Sequence, residues 1–398
     1  MTTFNFFRFS ALAAAGFLTH AAWADGFRNP PDTAAALGKA GNNMVWCDDA
    51  TAVFNNPANL VDVPSRQVQL SGMLGYSHAD YRGALGATKT VAPWGVLPAF
   101  DMAWPLHETD LALGLGSHVP YGRQTKWDSD GPIPLSSQMS VADISPELAW
   151  RISDSVSVGA GLDVYYGHLG FKSAPMPNST VKADADGYAF GGNAGITWRM
   201  TPDQRLALTY RAPFDLTFRG KMKTDGIPPP VAVPESDLDS SFSFPTIVAL
   251  GYGIRLTEKV RVETKVEWLE FSRNRTMCVN AYENAPLATA LNLANAPQNW
   301  SDTWTFGIGP EWDFIKNWTL RAGYLYLQSP IPDSTFSPMA MDVDQSVASA
   351  GLGYKYGRHA VDLAYAIGIF DKRHAGVNRQ DTYDFQGHLA ALTYTYSF

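Results

Sequence analysis

Few residues in this chain stand at the spacings that chemistry requires. Asp184-Ala185-Asp186-Gly187 has the opening of a calcium loop, in which alternating carboxylates supply oxygen ligands and glycine permits the turn. The distal glutamate of that pattern is missing, so an ordinary turn is expected there and no metal is assigned. Gly351-Leu352-Gly353 falls within a strand pattern rather than at a strand-to-helix turn, which removes a nucleotide-binding reading. His78, His118, His168 and His388 are scattered, and none makes a defensible pair with a serine on one strand face or on neighbouring strands, as acyl transfer would need. Cys47 and Cys278 match no ligand spacing; they could pair in an oxidising compartment, but two lone cysteines are more often free. No catalytic residue, metal or cofactor is expected, so the chain does not read as an enzyme.

What such a chain does must come from its architecture. It has 398 residues, of which 45% are hydrophobic and 13% aromatic but only 17% charged. Disordered chains are poor in hydrophobics, and disulfide scaffolds are short and cysteine-rich, so both classes are excluded. Soluble domains carry about 25% charged residues, and something replaces charge on this surface. A net charge of −8 offers no basic footprint for nucleic acid.

Arg8, the apolar stretch from Ala11 to Ala22 and the Ala22-Trp23-Ala24 cleavage pattern form a secretory signal, which sets the signal peptide at residues 1–24 and the mature start at Asp25. Beyond it, no run approaches the ~18 apolar residues of a membrane helix. A soluble exported protein or a transmembrane β-barrel remains.

Alternation decides between them. Val260, Val262, Thr264, Val266 and Trp268 fall on one face of a strand, and Lys259, Arg261, Glu263, Lys265 and Glu267 on the other. Read this way, the chain holds fourteen candidate strands, at 66–82, 98–106, 109–120, 137–152, 155–172, 187–200, 204–224, 241–256, 259–275, 301–315, 318–329, 342–357, 359–371 and 382–398. The seventh crosses Pro213, where a bulge or bend is expected. Alternate connections are long and rich in Pro, Asn, Asp and Gly, and those between them are tight, such as Ser153-Asp154 and Thr257-Glu258. An exported β-sandwich predicts no such rhythm, whereas an all-β, antiparallel, 14-stranded barrel in the outer membrane of a Gram-negative bacterium does. The last strand ends in Phe398 at the expected membrane boundary.

Residues 25–64 do not alternate. Asp32 can cap a short helix ending at Gly38 or Gly41, and a barrel of fourteen strands is too wide to fill with its own side chains. This segment is expected to be a hatch, or plug, inside the lumen of a barrel spanning 65–398, although a periplasmic tail is the alternative. The fragments Asp25-Gly26-Phe27, Ala36-Leu37-Gly38-Lys39-Ala40, Asp48-Asp49-Ala50 and Asn56-Pro57-Ala58 resemble the hatch of the FadL-type long-chain fatty acid transporters. The resemblance continues through Leu206-Ala207-Leu208-Thr209-Tyr210-Arg211, Phe218-Arg219-Gly220, Asn317-Trp318-Thr319-Leu320-Arg321-Ala322-Gly323 and Ser329-Pro330-Ile331-Pro332. It implies passive uptake of a hydrophobic compound, captured by extracellular loops and released sideways into outer-membrane lipid beside a kinked third strand. Gly116, Ser117, His118 and Pro120 mark that kink here, unless Pro120 merely ends the strand.

The resemblance also makes Gly26 and Phe27 ligand-binding candidates and Asn56, Pro57 and Ala58 the hatch motif. Lys172 becomes a candidate carboxylate partner, or else only a lumen or rim lysine. Phe398 resembles the sorting signal read by the barrel-assembly machinery, and a monomer is expected. The segments Ala92 to Leu97, Ile227 to Val233 and Pro286 to Pro297 are apolar for extracellular loops and suit ligand capture as well as they suit loop packing. The loop from Ser173 to Asp186 is short for the family, so the ligand stays open between a long-chain fatty acid and an aromatic or aliphatic hydrocarbon. A fatty acid site should offer Lys or Arg near its mouth; a hydrocarbon site should not. A general water-filled porin and an outer-membrane hydrolase are the alternatives of other classes.

Overall fold

The computed structural model describes residues 26–398, apart from 107, 134, 230–231, 292 and 376–379. The expected signal peptide lies outside the described residues. Fourteen antiparallel strands close into a barrel. β1 is Gln67–Gly83, β2 Trp94–Pro105, β3 Leu111–Lys126, β4 Leu135–Arg151, β5 Val156–Ser173 and β6 Thr180–Thr201. β7 comprises Gln204–Arg211 and Phe214–Asp225, and β8 comprises Glu235–Phe244 and Ile247–Thr257. β9 is Val260–Leu269, β10 Thr303–Ile315, β11 Trp318–Leu327, β12 Gln345–Tyr356, β13 His359–Phe370 and β14 Asp381–Ser397. β1 pairs with β14 from Gln67 opposite Ser397 to Arg82 opposite Thr382, which leaves the sheet without an open edge.

Each strand separates its side chains by parity. On β13, Val361, Leu363, Tyr365, Ile367 and Ile369 are exposed on the outside, while Asp362, Ala364 and Ala366 are buried. An apolar outer band around a polar interior suits a barrel solvated by lipid. The turns at residues 202–203, 258–259, 316–317 and 357–358 are tight, and Asn317 (φ 67°) and Gly357 (φ 58°) adopt the left-handed conformation that two-residue hairpins need.

Several boundaries differ from the sequence expectation. β6 starts at Thr180, so Asp184, Asp186 and Gly187 lie in a strand and not in a turn; inward Val181 and Ala185 keep the alternation going above the apolar band. β2 starts at Trp94, which takes most of the supposed loop from Ala92 to Leu97 into the wall. β3 runs through Pro120 to Lys126, so that proline does not end the strand. The seventh and eighth candidates break at Pro213 and Pro245, which lack ladder donors. The ninth stops at Leu269; a 3-10 turn, Phe271–Arg273, separates it from an outer strand segment, Thr276–Ala281.

The N-terminal segment packs on the inward wall. Helix α1, Ala34–Gly38, lies on β12 and β13 so closely that a Cβ on Gly38 would sit 3.0 Å from Gly351 Cα. Pro57 opens a 3-10 helix, Pro57–Asp62, against β4, β5 and β6. The Asn56 side chain is fully buried and donates to Met44 O and Thr197 Oγ1, both at 2.9 Å, while accepting from the Ala58 amide at 3.1 Å. Wall glycines make room for it: a Cβ at Gly195 would lie 2.1 Å from Asn56 Oδ1, and one at Gly159 would lie 2.4 Å from Pro57.

Charge fixes the same segment. Asp62 meets Arg151 at 2.9 Å, Arg199 at 2.5 Å and Arg205 at 3.2 Å. Buried Glu263 accepts from the amides of Met44, Val45 and Trp46, so one wall carboxylate satisfies three successive backbone donors. Arg261 pairs with Asp48 at 3.0 Å.

Candidate functional site

The first described residues form a short strand against β3. Arg28 bridges to Tyr121, the Gly122 amide donates to Phe27 O at 2.8 Å, and the Asn29 amide donates to Pro120 O at 2.9 Å. This strand occupies the place that β2 vacates. β2 pairs with β3 only from Phe100 opposite Ser117 to Pro105 opposite Ala112, whereas its upper part continues on β1 from Ala99 to Trp94. A bulge separates β3 from the β4 register between His118 and Tyr121. The opposite end of the separation is closed by a bridge between Thr90 and Trp127 and by the Val91 amide donating to Lys126 O at 2.7 Å. A bounded window in the wall results, with the N-terminal strand across its inner side.

His118 stands at the first position beyond the last β2–β3 pair. Its Nε2 lies 2.9 Å from Asp101 on β2 and its Nδ1 3.5 Å from Asp143 on β4, with Phe54 against the ring at 4.4 Å. Both ring nitrogens face carboxylates, an arrangement that joins three strands and leaves neither nitrogen directed at a serine.

Phe27 forms the floor of a cavity of about 710 Å³ on the side of the long connections. Its ring meets Phe244 at 4.9 Å, Trp300 at 5.3 Å and Phe271 at 5.5 Å. Gly26 is required beside it: φ is 66°, and a Cβ would lie 2.7 Å from the Phe271 ring. The Gly26 amide donates to Asp342 at 2.8 Å, and Arg123 donates to Gly26 O. The rest of the lining is largely apolar, with Met139, Phe171, Met222, Phe242, Val279 and Leu293 among its members. Arg123 is the single charged residue in that described lining, and it is buried. This size and composition are those of sites that enclose a small apolar ligand and orient it by a few polar groups. A second cavity, of about 130 Å³, lies beyond the N-terminal strand and touches Arg28, Val119, Pro120, Arg211 and Glu267.

The candidates from sequence are distributed unevenly. Gly26 and Phe27 meet at the cavity, and His118 and Pro120 lie along the window, whereas Gly116 and Ser117 are still paired with Asp101 and Phe100 of β2 at its edge. Asn56, Pro57 and Ala58 hold the N-terminal segment to the wall. Lys172 does not join them: it shares the exposed parity of β5, whereas Leu169 and Phe171 point into the cavity. Of the expected capture loops, the one from Pro286 to Pro297 contributes Leu291, Leu293 and Ala296 to the cavity. Ile227 and Ala232 are buried in the adjoining core. Phe398 is exposed beside Tyr396. His168, Asp184 and Asp186 place ligand atoms within 4.8 Å of one another on the exposed outer surface. Cys47, buried in the N-terminal segment, and Cys278, on the outer extension, are both free.

Sequence reasoning missed Arg123, Asp62 and Glu263. Arg123 follows a proline taken as a possible strand end, and on an unbroken β3 it would share the outward parity of Leu111 and Leu113; only the bulge between His118 and Tyr121 turns it inward. For Glu263, the alternation gave the inward face but not its partner.

The family model for outer membrane protein transport proteins (OMPP1/FadL/TodX) matches residues 15–398. The long-chain fatty acid transport protein of Salmonella typhi is 25% identical, with 100% of both chains covered. A solved Pseudomonas aeruginosa FadL homologue has TM-score 0.82 at 19% identity, covering 94% of this chain and 100% of that one. The Pseudomonas putida toluene transporter TodX has TM-score 0.76 at 18% identity, with the same coverage. These structures show the fold, and the family match spans nearly all of the sequence. The chain therefore belongs to the OMPP1/FadL/TodX family of outer-membrane transport proteins.

Proposed function

We propose that the protein takes up hydrophobic compounds passively, with long-chain fatty acids as its substrate, by holding them in the upper cavity and releasing them through the β2–β3 window into the bilayer. The observation that carries this reading is Arg123 as the one charged group of an otherwise largely apolar cavity: a cation there matches a carboxylate head, and the apolar lining matches its chain. Each methylene kept from water is worth ~0.8 kcal/mol, so a sixteen-carbon chain would resist an aqueous passage by roughly 12 kcal/mol. Sideways release avoids that barrier.

In this reading residues 25–64 act as a hatch and 65–398 as the barrel. The ion pairs at Asp62 and Asp48 and the amide bonds to Glu263 keep most of the hatch in place, and the strand at Gly26 to Asn29 is the part that yields. The protein works without a catalytic step or cofactor. The closed sheet favours a monomer, and Phe398 would direct assembly by the barrel-assembly machinery. The likeness to TodX supports hydrocarbon uptake as the second reading, and Arg123 weighs against it. Uptake of radiolabelled oleate by cells lacking their own transporter tests the proposal. Saturable uptake is expected with the full chain, and its loss is expected on deletion of residues 26–60. Unchanged saturable uptake in the deletion would contradict the hatch, and free passage of hydrophilic solutes through the full chain would favour a porin.

A further inference from the structure

We propose a second side portal, between β6 and β7, through which an acyl chain passes between the bilayer and the lumen. It rests on the transport reading above and on a break in the wall distinct from the β2–β3 window. β6 pairs with β7 from Thr180 opposite Asp225 to Asp186 opposite Arg219, and again from Asn193 opposite Arg211 to Thr201 opposite Gln204. Between these stretches, residues 187–192 have no ladder partner across from residues 212–218. A backbone bond from Ala212 to Gly192 O, at 2.8 Å, marks one end of the gap. The register changes by one residue there, yet a one-residue shift needs no such length. The comparable shift between β3 and β4 leaves only Val119 and Pro120 of β3 without partners. Backbone left without a ladder in a lipid-facing wall is costly unless protein fills the space or a cavity lies behind it.

Both conditions are met. Gly167 and Gly187 face each other across β5 and β6, and Leu216 packs into the socket they leave: a Cβ at Gly167 would lie 2.4 Å from Leu216 Cδ2, and one at Gly187 would lie 2.4 Å from Thr217 O and 3.2 Å from Leu216 Cδ1. Tyr165 covers Gly191 and stacks on Phe214 at 3.9 Å. The Leu216 side chain thus bolts the gap from inside, beside the close approach of Thr217 O to Gly187. Behind its other end, the smaller cavity reaches Ala194 and Tyr210, the pair next to Asn193 and Arg211, and Tyr210 is exposed on the outer face. Outside, Tyr188 and Phe190 are the most exposed large apolar side chains among the described residues, at 71% and 76%. Across from them, Asp215 is polar and exposed, 2.6 Å from Ser243 and 3.3 Å from Arg273. Apolar on one lip and polar on the other, the gap lies where acyl chains meet head groups, a boundary suited to an amphiphile.

Leu216→Ala removes the bolt. Purified into lipid vesicles, this variant should carry a fluorescent long-chain fatty acid at least twofold faster than wild type with unchanged small-ion conductance, because the gap opens to lipid and not to water. A staple, Tyr188→Cys with Thr217→Cys in a Cys278→Ser background, should cancel that gain when oxidised and restore it when reduced. If Leu216→Ala does not give a heat-modifiable, folded barrel, the staple alone decides: its oxidised form should carry the probe more slowly than its reduced form. Equal rates in a folded Leu216→Ala variant and wild type, or a gain matched by increased ion conductance, would overturn the portal. So would equal rates in the oxidised and reduced staple. Absence of probe transport by the wild-type protein would sink the transport reading itself, and the portal with it.

Discussion

Replacing Arg123 with methionine separates the two candidate ligand classes. The side chain is 7% exposed, so water screens its charge little. A hydrogen bond to a charged group contributes ~1.5–3 kcal/mol, and each 1.4 kcal/mol is tenfold in affinity. Arg123→Met should therefore weaken binding of a long-chain fatty acid roughly 10- to 150-fold. Methionine keeps an apolar stem in the cavity, but the contact from Arg123 to Gly26 O is lost, and any resulting movement of the N-terminal strand would affect every ligand alike. A neutral control removes that ambiguity: the methyl ester of the same acid should change little. Displacement of a fluorescent fatty acid from detergent-purified protein measures both affinities. Parallel losses for acid and ester would mean that Arg123 holds the strand and not the ligand. Unchanged affinity for the acid would refute the carboxylate assignment and return the hydrocarbon reading to first place.

Asp62→Asn leaves three arginines facing a neutral amide; allowing for their partial exposure, docking of the N-terminal segment should weaken by about 2–3 kcal/mol. It should be seen as trypsin cleavage within residues 26–63 and larger conductance in planar bilayers. Asn56→Ala removes a fully buried hub whose loss should cost ~1–3 kcal/mol, detected as faster hydrogen exchange around Met44 and Ala58. Pro120→Val should restore a straighter third strand and slow fatty acid uptake; undiminished uptake would argue against the window. Burial raises Asp32 from 3.8 to about 6. Because its folded value lies above the ordinary one, its contribution to docking is complete below about pH 4 and is lost as pH rises through 6. Amide exchange near residues 29–37, corrected for its intrinsic rate, should therefore slow between pH 7 and pH 5 and lose that dependence in Asp32→Asn.

Much of the barrel was readable because lipid on one side and a polar lumen on the other impose a period of two that few other environments maintain. The parity of Val361 to Ile369 and the tight turn at Lys316-Asn317 each survive intact. The breaks were harder to place. Pro213 and Pro120 produce a strand break in one case and a continuing, bulged strand in the other. What separates them is the partner: β3 past Pro120 is held by Phe27 and Asn29, and local sequence carries no trace of that pairing. The cavity was only half legible. Gly26 and Phe27 came from a family resemblance, but Arg123 depends on β3 continuing past Pro120 through a bulge, and Lys172, also taken from the resemblance, falls on the exposed parity of β5. Long-range ion pairs such as Asp62 with Arg151, Arg199 and Arg205 join distant segments, and nothing in their spacing announces them.

Sideways release requires the strand from Gly26 to Asn29 to part from β3, and a reversible lock tests that requirement most directly. A Cβ at Gly122 would lie 3.0 Å from Asn29 Nδ2, so Asn29→Cys with Gly122→Cys in a Cys278→Ser background places two thiols side by side across the window. Initial rates of long-chain fatty acid transport into vesicles should fall severalfold when this pair is oxidised and recover on reduction. Equal rates in the two states, with the disulfide confirmed by mass spectrometry, would contradict delivery through the β2–β3 window.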